Sequence, residues 1–271
     1  MQIVSVVLSL VIFFSGAIAV TPCHAASEVP SQLSKLSAIV GRKVETPQGE
    51  QRGHLEEIVI DAASADVAYA VLGFGGFLGM GEKLVIIPWG ALQPASNDTF
   101  HTNVTEEQIK NAPSFDQNTW PDDLEAKHWS DAIHDYYGQA PYWRKRLPAE
   151  ETRDISQPVT PRLVRSSLVL RAQVMNTDNQ YLGDIEEVVM DPSTGDVVYA
   201  VLAFGEFLGL GGKWFAIPWR ALQTSPGFGT FTLDVDKDRL KNAPGFDKNQ
   251  WPDMVNPRWN DAIRNYWQQP Q

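Results

Sequence analysis

Cysteine is almost absent from the 271-residue sequence, in which Cys23 is the only one. It lies in an apolar N-terminal segment that export would remove, so we expect a mature protein without a thiol. Disulfides, zinc–thiolate sites and cysteine nucleophiles are then excluded for want of the reactive group. The alternative is a lipid anchor on Cys23, although Thr21 and Pro22 stand where a lipoprotein signal normally has small residues.

Basic residues are also few, since 22 Lys and Arg stand against 33 Asp and Glu, a net charge of -11. A polyanion would have to approach this chain against its summed field, so we expect no nucleic-acid partner. The apolar and aromatic content is that of a globular protein, which excludes disorder of the whole chain.

The N-terminus differs from the rest of the sequence, because residues 3–19 are almost wholly apolar and small residues follow. We interpret residues 1–25 as a signal peptide cut after Ala25, with a second possible site near Ala17 and Ala19. The protein is therefore expected to be exported to the periplasm. An uncleaved anchor in the envelope is the alternative, since no Lys or Arg precedes the run, which approaches the length of a short spanning helix.

The remaining sequence contains an internal repeat. A shift of 130 residues lays the Glu-Glu pair at 56–57 on that at 186–187, and more than half of residues 55–93 are identical at this shift. The match continues at a shift of 131 through Lys-Asn-Ala-Pro at 110–113 and Trp-Pro-Asp at 120–122. Two homologous copies, forming a pseudo-dimer within one chain, are therefore predicted.

The domain boundaries follow from the repeat. We assign residues 36–138 to the first copy with its helical tail, and residues 165–268 to the second. Residues 139–164 are rich in proline and charge and show no sustained period, so we interpret them as a semi-extended linker.

Short β-rich runs alternate with turn residues in each copy, as in a small all-β sheet or barrel. The predicted strands of the first copy are 40–45, 53–61, 67–74, 84–88 and 99–104. Two helices should follow. Thr105 and Gln108 form a capping box for the first of them, and Asp236 is its cap in the second copy. The second helix is predicted by apolar and aromatic residues at helical spacing, namely Trp129, Ala132, Ile133, Tyr136 and Tyr137.

Three motifs of the first copy carry a resemblance to a known family. They are Gly-x-Leu-Glu-Glu-Ile-Val-Ile-Asp at 53–61, Tyr-Ala-Val-Leu-Gly-Phe-Gly-Gly-Phe-Leu-Gly at 69–79 and Ile-Pro-Trp-Gly-Ala-Leu at 87–92. Together they resemble the PRC-barrel domain, over about residues 36–104 and again over 167–235. The Lys-Asn-Ala-Pro and Trp-Pro-Asp motifs look like those of exported bacterial proteins with this domain.

The resemblance implies a mainly β chain with two tandem, small, antiparallel PRC-type β-barrels, each six-stranded and followed by short α-helices. The family includes the H subunit of the photosynthetic reaction centre and the ribosome-maturation factor, both of which use the barrel for docking. It therefore implies assembly or protein contact and supplies no shared catalytic residues. Because we expect the protein to be exported, it would not meet those particular partners. The resemblance therefore supports the fold but does not identify the partner.

The glycine-rich segment at 73–81 and Gly211-Gly212-Lys213 in the second copy are not phosphate loops. A Walker loop needs a glycine where Phe207 stands and Ser or Thr where Trp214 stands. Their apolar tips are the candidate partner-binding surface. The predicted residues are Phe77, Leu78, Met80, Phe207, Leu208 and Leu210. Burial of these tips against the core is the alternative.

Carboxylates give no convincing active or metal site. Glu56 and Glu57, like Glu186 and Glu187 in the second copy, should point to opposite faces of a strand and cannot form a dyad. We therefore expect solvated or edge-facing charges, with Asp61 and Asp191 capping turns. Residues 234–238 resemble the start of an EF-hand loop, but Arg239 occupies its obligatory glycine position, so a helix cap explains them better. No metal and no cofactor are predicted.

Histidines and aromatic residues complete the candidates. All the histidines (His24, His54, His101, His128, His134) lie in the signal or the first copy, so we expect them at the surface and predict no Ser-His-Asp site. Helical spacing favours core packing for the large aromatics, with a groove for sugars or peptides as the alternative. These are Trp120, Trp129, Tyr136 and Tyr137, with Trp251, Trp259, Tyr266 and Trp267.

The sequence therefore predicts a non-catalytic envelope protein that docks or scaffolds a protein partner through PRC-type modules. Membrane contact is expected only if the N-terminal segment stays uncleaved. A sensor for a small ligand or a divalent cation is the alternative, favoured by the acidic balance. A carboxylate-based hydrolase ranks last, because no acid and base share one face.

Overall fold

The structure, a computed structural model, describes residues 32–75, 83–96, 98–115, 120, 127–144, 161–204, 213–224 and 229–268. The predicted signal peptide at 1–25 and most of the predicted linker at 139–164 lie outside these ranges. None of the helices in the described ranges is long and apolar enough to span a membrane.

The two copies contain the same succession of strands and helices. In the first copy these are β1 (Ser34–Lys35), β2 (Lys43–Glu45), β3 (Gln51–Asp61), β4 (Asp66–Phe74), β5 (Lys83–Pro88), β6 (Leu92–Ser96), β7 (Thr99–Thr102), α1 (Glu106–Asn111), β8 (Ser114–Phe115) and α2 (Lys127–Tyr137). In the second they are β9 (Leu163–Arg165), α3 (Ser166–Val169), β10 (Gln173–Met175), β11 (Tyr181–Met190), β12 (Val197–Phe204), β13 (Lys213–Pro218), β14 (Leu222–Thr224), β15 (Thr230–Leu233), α4 (Lys237–Asn242), β16 (Gly245–Asp247) and α5 (Pro257–Gln268).

Each copy builds one sheet. The strand orders are β6-β7-β2-β3-β4-β5-β8 and β14-β15-β10-β11-β12-β13-β16. The mainly β fold class, with two tandem domains each followed by short helices, is confirmed. The sheets are not wholly antiparallel as predicted, because β2 pairs with β7, and β10 with β15, in parallel. Among the described residues no pairing closes β6 onto β8 or β14 onto β16.

The predicted strands all appear in the first copy, with ends shifted by a few residues, and β6 was missed. Its residues Leu92–Ser96 are mostly exposed and include Pro94, so they show neither alternation nor a strong β composition. The six strands expected for a barrel correspond to β2 to β7. The short β8 and a strand from the other copy raise the number in the sheet to eight.

Glycine opens the first family motif because the backbone of the next strand passes against it. Gly53 has φ +136°, and a Cβ there would overlap the carbonyl oxygen of Gly73. Gly183 repeats the arrangement with φ +151° against the carbonyl of Ala203. Only glycine combines this backbone conformation with so close an approach.

The predicted helix caps are confirmed. The Thr105 side chain accepts from the Gln108 backbone N–H at 3.1 Å, and the Gln108 side chain accepts from the Thr105 N–H at 2.9 Å. In the second copy the Asp236 carboxylate accepts from the Arg239 N–H at 2.6 Å. These bonds satisfy donors that the first helical turn leaves unpaired.

The two copies exchange their first strands. β1 of the first copy pairs antiparallel with β11 of the second, and β9 of the second copy pairs antiparallel with β3 of the first. We call residues 34–38 and 163–169, each strand with the helical turn after it, the first and second arms. The second arm begins inside the predicted linker of 139–164, at the strand that starts with Leu163.

The hydrophobic core is shared as a consequence of this exchange. One cluster of buried residues contains Leu36 and Leu72 of the first copy together with Val169 and Leu202 of the second. Burial of apolar area is the main favourable term in folding, so each copy depends on the other for part of its stability.

Candidate docking site

The predicted partner-binding residues lie outside the described residues. These are Phe77, Leu78 and Met80 in the first copy and Phe207, Leu208 and Leu210 in the second. The strands that carry these loops are described: β4 ends at Phe74 and β5 begins at Lys83, with β12 and β13 in the corresponding positions. Whether the tips bind a partner stays a prediction.

A cavity of about 210 Å³ lies at the base of the first loop. Phe74, Val85 and Ile109 give it an apolar wall, and Lys83 and Lys110 stand at its rim. An apolar recess with charged groups at its edge has the make-up of a small protein-recognition pocket.

The lysines at this base recur in the second copy, where Lys213 and Lys241 take the corresponding places. Lys110 pairs with Glu106 at 2.5 Å and Lys241 with Asp238 at 2.9 Å, and both ammonium groups remain largely exposed. Exposed pairs of this kind contribute little stability and are easily rearranged. Lys83 and Lys110 thus line the cavity of the first copy, and Lys213 and Lys241 are their counterparts in the repeat.

The relative position of the two copies is set by the contacts of the arms. The carboxylate of Glu187 accepts from the backbone N–H of Ser37 at 3.2 Å and from its hydroxyl. In the other half, Glu57 accepts from the N–H of Ser167 at 3.0 Å and from the hydroxyls of Ser166 and Ser167. Each acidic side chain therefore caps the helical turn of the opposite arm.

A cation on each arm makes a second contact with the opposite copy. The ammonium of Lys35 lies 3.5 Å from the ring centroid of Trp251, and the guanidinium of Arg165 lies 4.6 Å from that of Trp120. The two tryptophans belong to the repeated Trp-Pro-Asp motif. Cation–π contacts at such distances are attractive, so this motif serves the junction between the copies.

The hairpin turns after β3 and β11 meet at the centre of the junction. The N–H of Val67 donates to the carbonyl of Gly195 at 2.7 Å, and that of Val197 donates to the carbonyl of Ala65 at 2.9 Å. The indole N–H of Trp219 donates to the Ala62 carbonyl at 3.2 Å. The two backbone bonds correspond to each other, as expected for two related halves around a pseudo-two-fold axis, whereas the Trp219 bond has no counterpart at Trp89.

The repeated carboxylates are largely structural. Asp61 caps its turn as predicted, accepting from Ala63 N–H at 3.1 Å, and also accepts from Arg162 N–H at 3.0 Å and the Tyr142 hydroxyl at 3.1 Å. The expectation of a solvated charge was wrong for Glu187, which is only 5% exposed because the first arm covers it. No cluster of three potential metal ligands occurs among the described residues.

The histidines differ from the expectation at one position. His54 contacts Glu56, and His101 lies 3.7 Å from Glu45, both partly exposed as expected. His134 is only 2% exposed, because its ring lies 5.6 Å from Tyr69 and 5.1 Å from Trp143, between centroids. His134 lies on the buried face of α2, which it shares with Ser130, Ile133 and Tyr137.

The aromatic residues of the helical tails mostly pack inwards. Tyr137 is 7% exposed, and Trp267 donates its indole N–H to the Ala216 carbonyl at 3.1 Å. Tyr136 is 39% exposed, although its hydroxyl donates to the Gln108 carbonyl at 2.8 Å. The helices α2 and α5 pack against β5 and β13, but the buried face of α2 differs from the predicted stripe, since Ala132 and Tyr136 are exposed.

Both copies of the repeat match a family of known proteins. The sequence profile of the PRC-barrel domain matches residues 32–109 and 161–240, which together make up more than half of the chain. Each matched range begins close to an arm and ends within the first helix after the sheet. A search among curated proteins gives no match.

Proposed function

Because this chain belongs to the PRC-barrel domain family, we propose that it is a non-catalytic assembly protein that docks another protein at the loop ends of its two sheets. The observation that carries the proposal is the interlocked junction, in which a strand of each copy pairs with the sheet of the other and so links the strands that carry the two loops. Two weak sites at fixed geometry bind a partner with matching sites far more tightly than either site alone.

The chemistry at the loop bases indicates the kind of partner. Apolar walls formed by Phe74, Val85 and Ile109 fit apolar side chains, and Lys83 and Lys110 at the rim favour carboxylates around them. We therefore propose a protein partner whose surface carries apolar side chains ringed by acidic ones. Because the chain has a net charge of -11, it repels an acidic partner in most orientations, and we expect binding only when these lysines face the partner.

The absence of catalysis is part of the proposal. Glu57 and Asp61, the carboxylates that a hydrolase would need, accept hydrogen bonds from the second arm, Arg162 and Tyr142. A general acid or base must be free to reach a substrate proton, so these side chains are better suited to holding the junction. We further propose that the chain acts after export to the periplasm, on the strength of residues 1–25.

The test is crosslinking of the protein in cells, followed by mass spectrometry of the captured proteins. The double variant Phe77→Asp, Phe207→Asp places a charge on both loop tips. Leu168→Asp is the matched control, because Leu168 is apolar, 45% exposed and situated on the second arm. Thermal unfolding checks that each variant is folded.

We expect one partner that is captured by the wild type and by Leu168→Asp and is lost with the double variant. Capture of the same partner by the double variant would refute the location of the site. Repeated capture of no specific partner by the wild type would refute docking itself.

A further inference from the structure

The bases of the two loops differ at one pair of positions. Where the first copy has Val85 paired with Ser114 on the neighbouring strand, the second has Phe215 paired with Gly245. The ring of Phe215 needs that glycine, because a Cβ at Gly245 would lie 2.8 Å from it. The second copy therefore combines a larger side chain with the space that admits it.

The ring of Phe215 fills the second copy at the place where the first copy has its cavity of about 210 Å³. Phe215 and Phe204 pack together with their ring centroids 6.2 Å apart, and they are only 2% and 6% exposed. Their counterparts Val85 and Phe74 line the open cavity, and Phe74 is only half-buried. Because valine is much shorter than phenylalanine, it leaves an apolar recess beside Phe74.

The volume and the charge of this recess indicate what it binds. Pockets for whole small molecules measure about 300–1,000 Å³, so a recess of about 210 Å³ fits a single apolar side chain better. Lys83 and Lys110 also line the recess, and both are exposed. Their ammonium groups favour carboxylates beside that side chain and disfavour basic residues.

The second copy keeps the lysines but not the recess. Lys213 and Lys241 stand at the positions of the two lysines of the first copy, whereas Phe215 occupies the apolar space. Both copies therefore offer a cationic contact to an acidic partner, but only the first offers room for an inserted side chain.

We propose that the first copy recognises an acidic peptide segment of the partner by taking one apolar side chain of that segment into the recess, and that Val85 and Phe215 restrict this insertion to the first copy. The proposal rests on the docking function given above and specifies the chemistry of the partner. Because the two related surfaces are not equivalent, the partner binds in one orientation.

Isothermal titration of the full chain with a synthetic peptide tests this recognition. The probe is a peptide with blocked ends that carries one leucine between glutamates, and its control has alanine in place of the leucine. We expect the leucine peptide to bind saturably at one site per chain, and the alanine peptide to bind about tenfold more weakly or worse, since it buries less apolar area. No saturable binding of the leucine peptide, or equal affinity for both peptides, would overturn the proposal.

Exchange of the residue pairs between the copies provides matched variants. Val85→Phe with Ser114→Gly gives the first copy the pair of the second, and it should abolish binding of the leucine peptide. Phe215→Val with Gly245→Ser gives the second copy the pair of the first, and it should raise the stoichiometry to two peptides per chain. Thermal unfolding checks that both proteins are folded, and an unchanged stoichiometry in both would contradict the assignment.

A surface variant makes the test independent of changes in the core. Lys83→Gln with Lys110→Gln should weaken binding of the leucine peptide, whereas Lys43→Gln, at an exposed position outside the recess, should not. Equal affinities of these two proteins would overturn the role of the lysines.

Failure of this recognition is distinguishable from failure of docking itself. If the peptide does not bind but Phe77→Asp, Phe207→Asp still removes a captured partner in cells, docking at the loop tips stands and insertion into the recess is refuted.

Discussion

Replacing Glu187 with glutamine removes the charge that holds the first arm on the second sheet while leaving the side chain almost unchanged in shape. The carboxylate of Glu187 accepts from the N–H and the hydroxyl of Ser37, which lies 150 residues away in the sequence. At 5% exposure, water can do little to replace these bonds. The amide of glutamine keeps one acceptor oxygen, so the contact is weakened rather than abolished.

The magnitude follows from the two bonds to Ser37. A hydrogen bond to a charged group contributes about 1.5–3 kcal/mol, and a neutral one about 0.5–1.5 kcal/mol. Losing the charge therefore costs about 1 kcal/mol per bond, or about 2 kcal/mol for Glu187→Gln. For a chain of this size that corresponds to a fall of about 4–8 °C in Tm.

Urea denaturation followed by circular dichroism measures this difference. Glu186→Gln is the matched control, because Glu186 is adjacent, loses the same charge and is exposed. Its unfolding free energy should change by less than about 0.5 kcal/mol. Equal changes in the two variants would refute the argument, since the effect would then reflect net charge rather than the contact with Ser37.

Two further predictions concern the junction and the core. Lys35→Met should lower the unfolding free energy by about 0.5–1 kcal/mol, because the contact with Trp251 is lost. Lys43→Met, at an exposed position, is the control and should have no such effect. Urea denaturation of both variants measures the difference. Burial raises the pKa of Tyr69 from 10.0 to about 12, so the folded protein holds this proton more tightly than the unfolded chain does. The unfolding free energy should therefore fall as pH rises from 10 to 12, by about 3 kcal/mol for this residue. Tyr69→Phe should reduce that fall in alkaline denaturation curves. Equal falls in the wild type and the variant would contradict the prediction.

Much of the fold could be predicted because its signals are local. The Thr105 and Gln108 capping box needs only four consecutive residues, and the turn at Asp61 is set by its own neighbours. The repeat allowed each local signal to be compared with its counterpart in the second copy, where Asp236, for example, takes the capping position of Thr105.

The arms could not be predicted in this way. β1 and β9 contain two and three residues, too few to show a period, and each pairs with a strand of the other copy. Long-range pairing of short segments leaves almost no local signal. The repeat did hold a clue, since the shift of 130 lays Lys35 on Arg165 and Ser37 on Ser167 next to a proline-rich segment.

The candidate site was predicted only in outline. Apolar tips on glycine-rich loops suggested a docking surface, but the two lysines at its base come from two elements that are separated in sequence. Lys83 begins β5 and Lys110 lies in α1, so only the folded sheet brings them to one cavity.

The central claim, that the two copies form one interlocked platform, can be tested by cutting the chain between them. A protease site inserted within residues 145–160 would be cleaved, and the product analysed by size exclusion with light scattering. The exchanged arms predict that both halves elute together at the mass of the intact chain and separate only in denaturant. Elution of folded halves at half the mass, each on its own, would contradict the account.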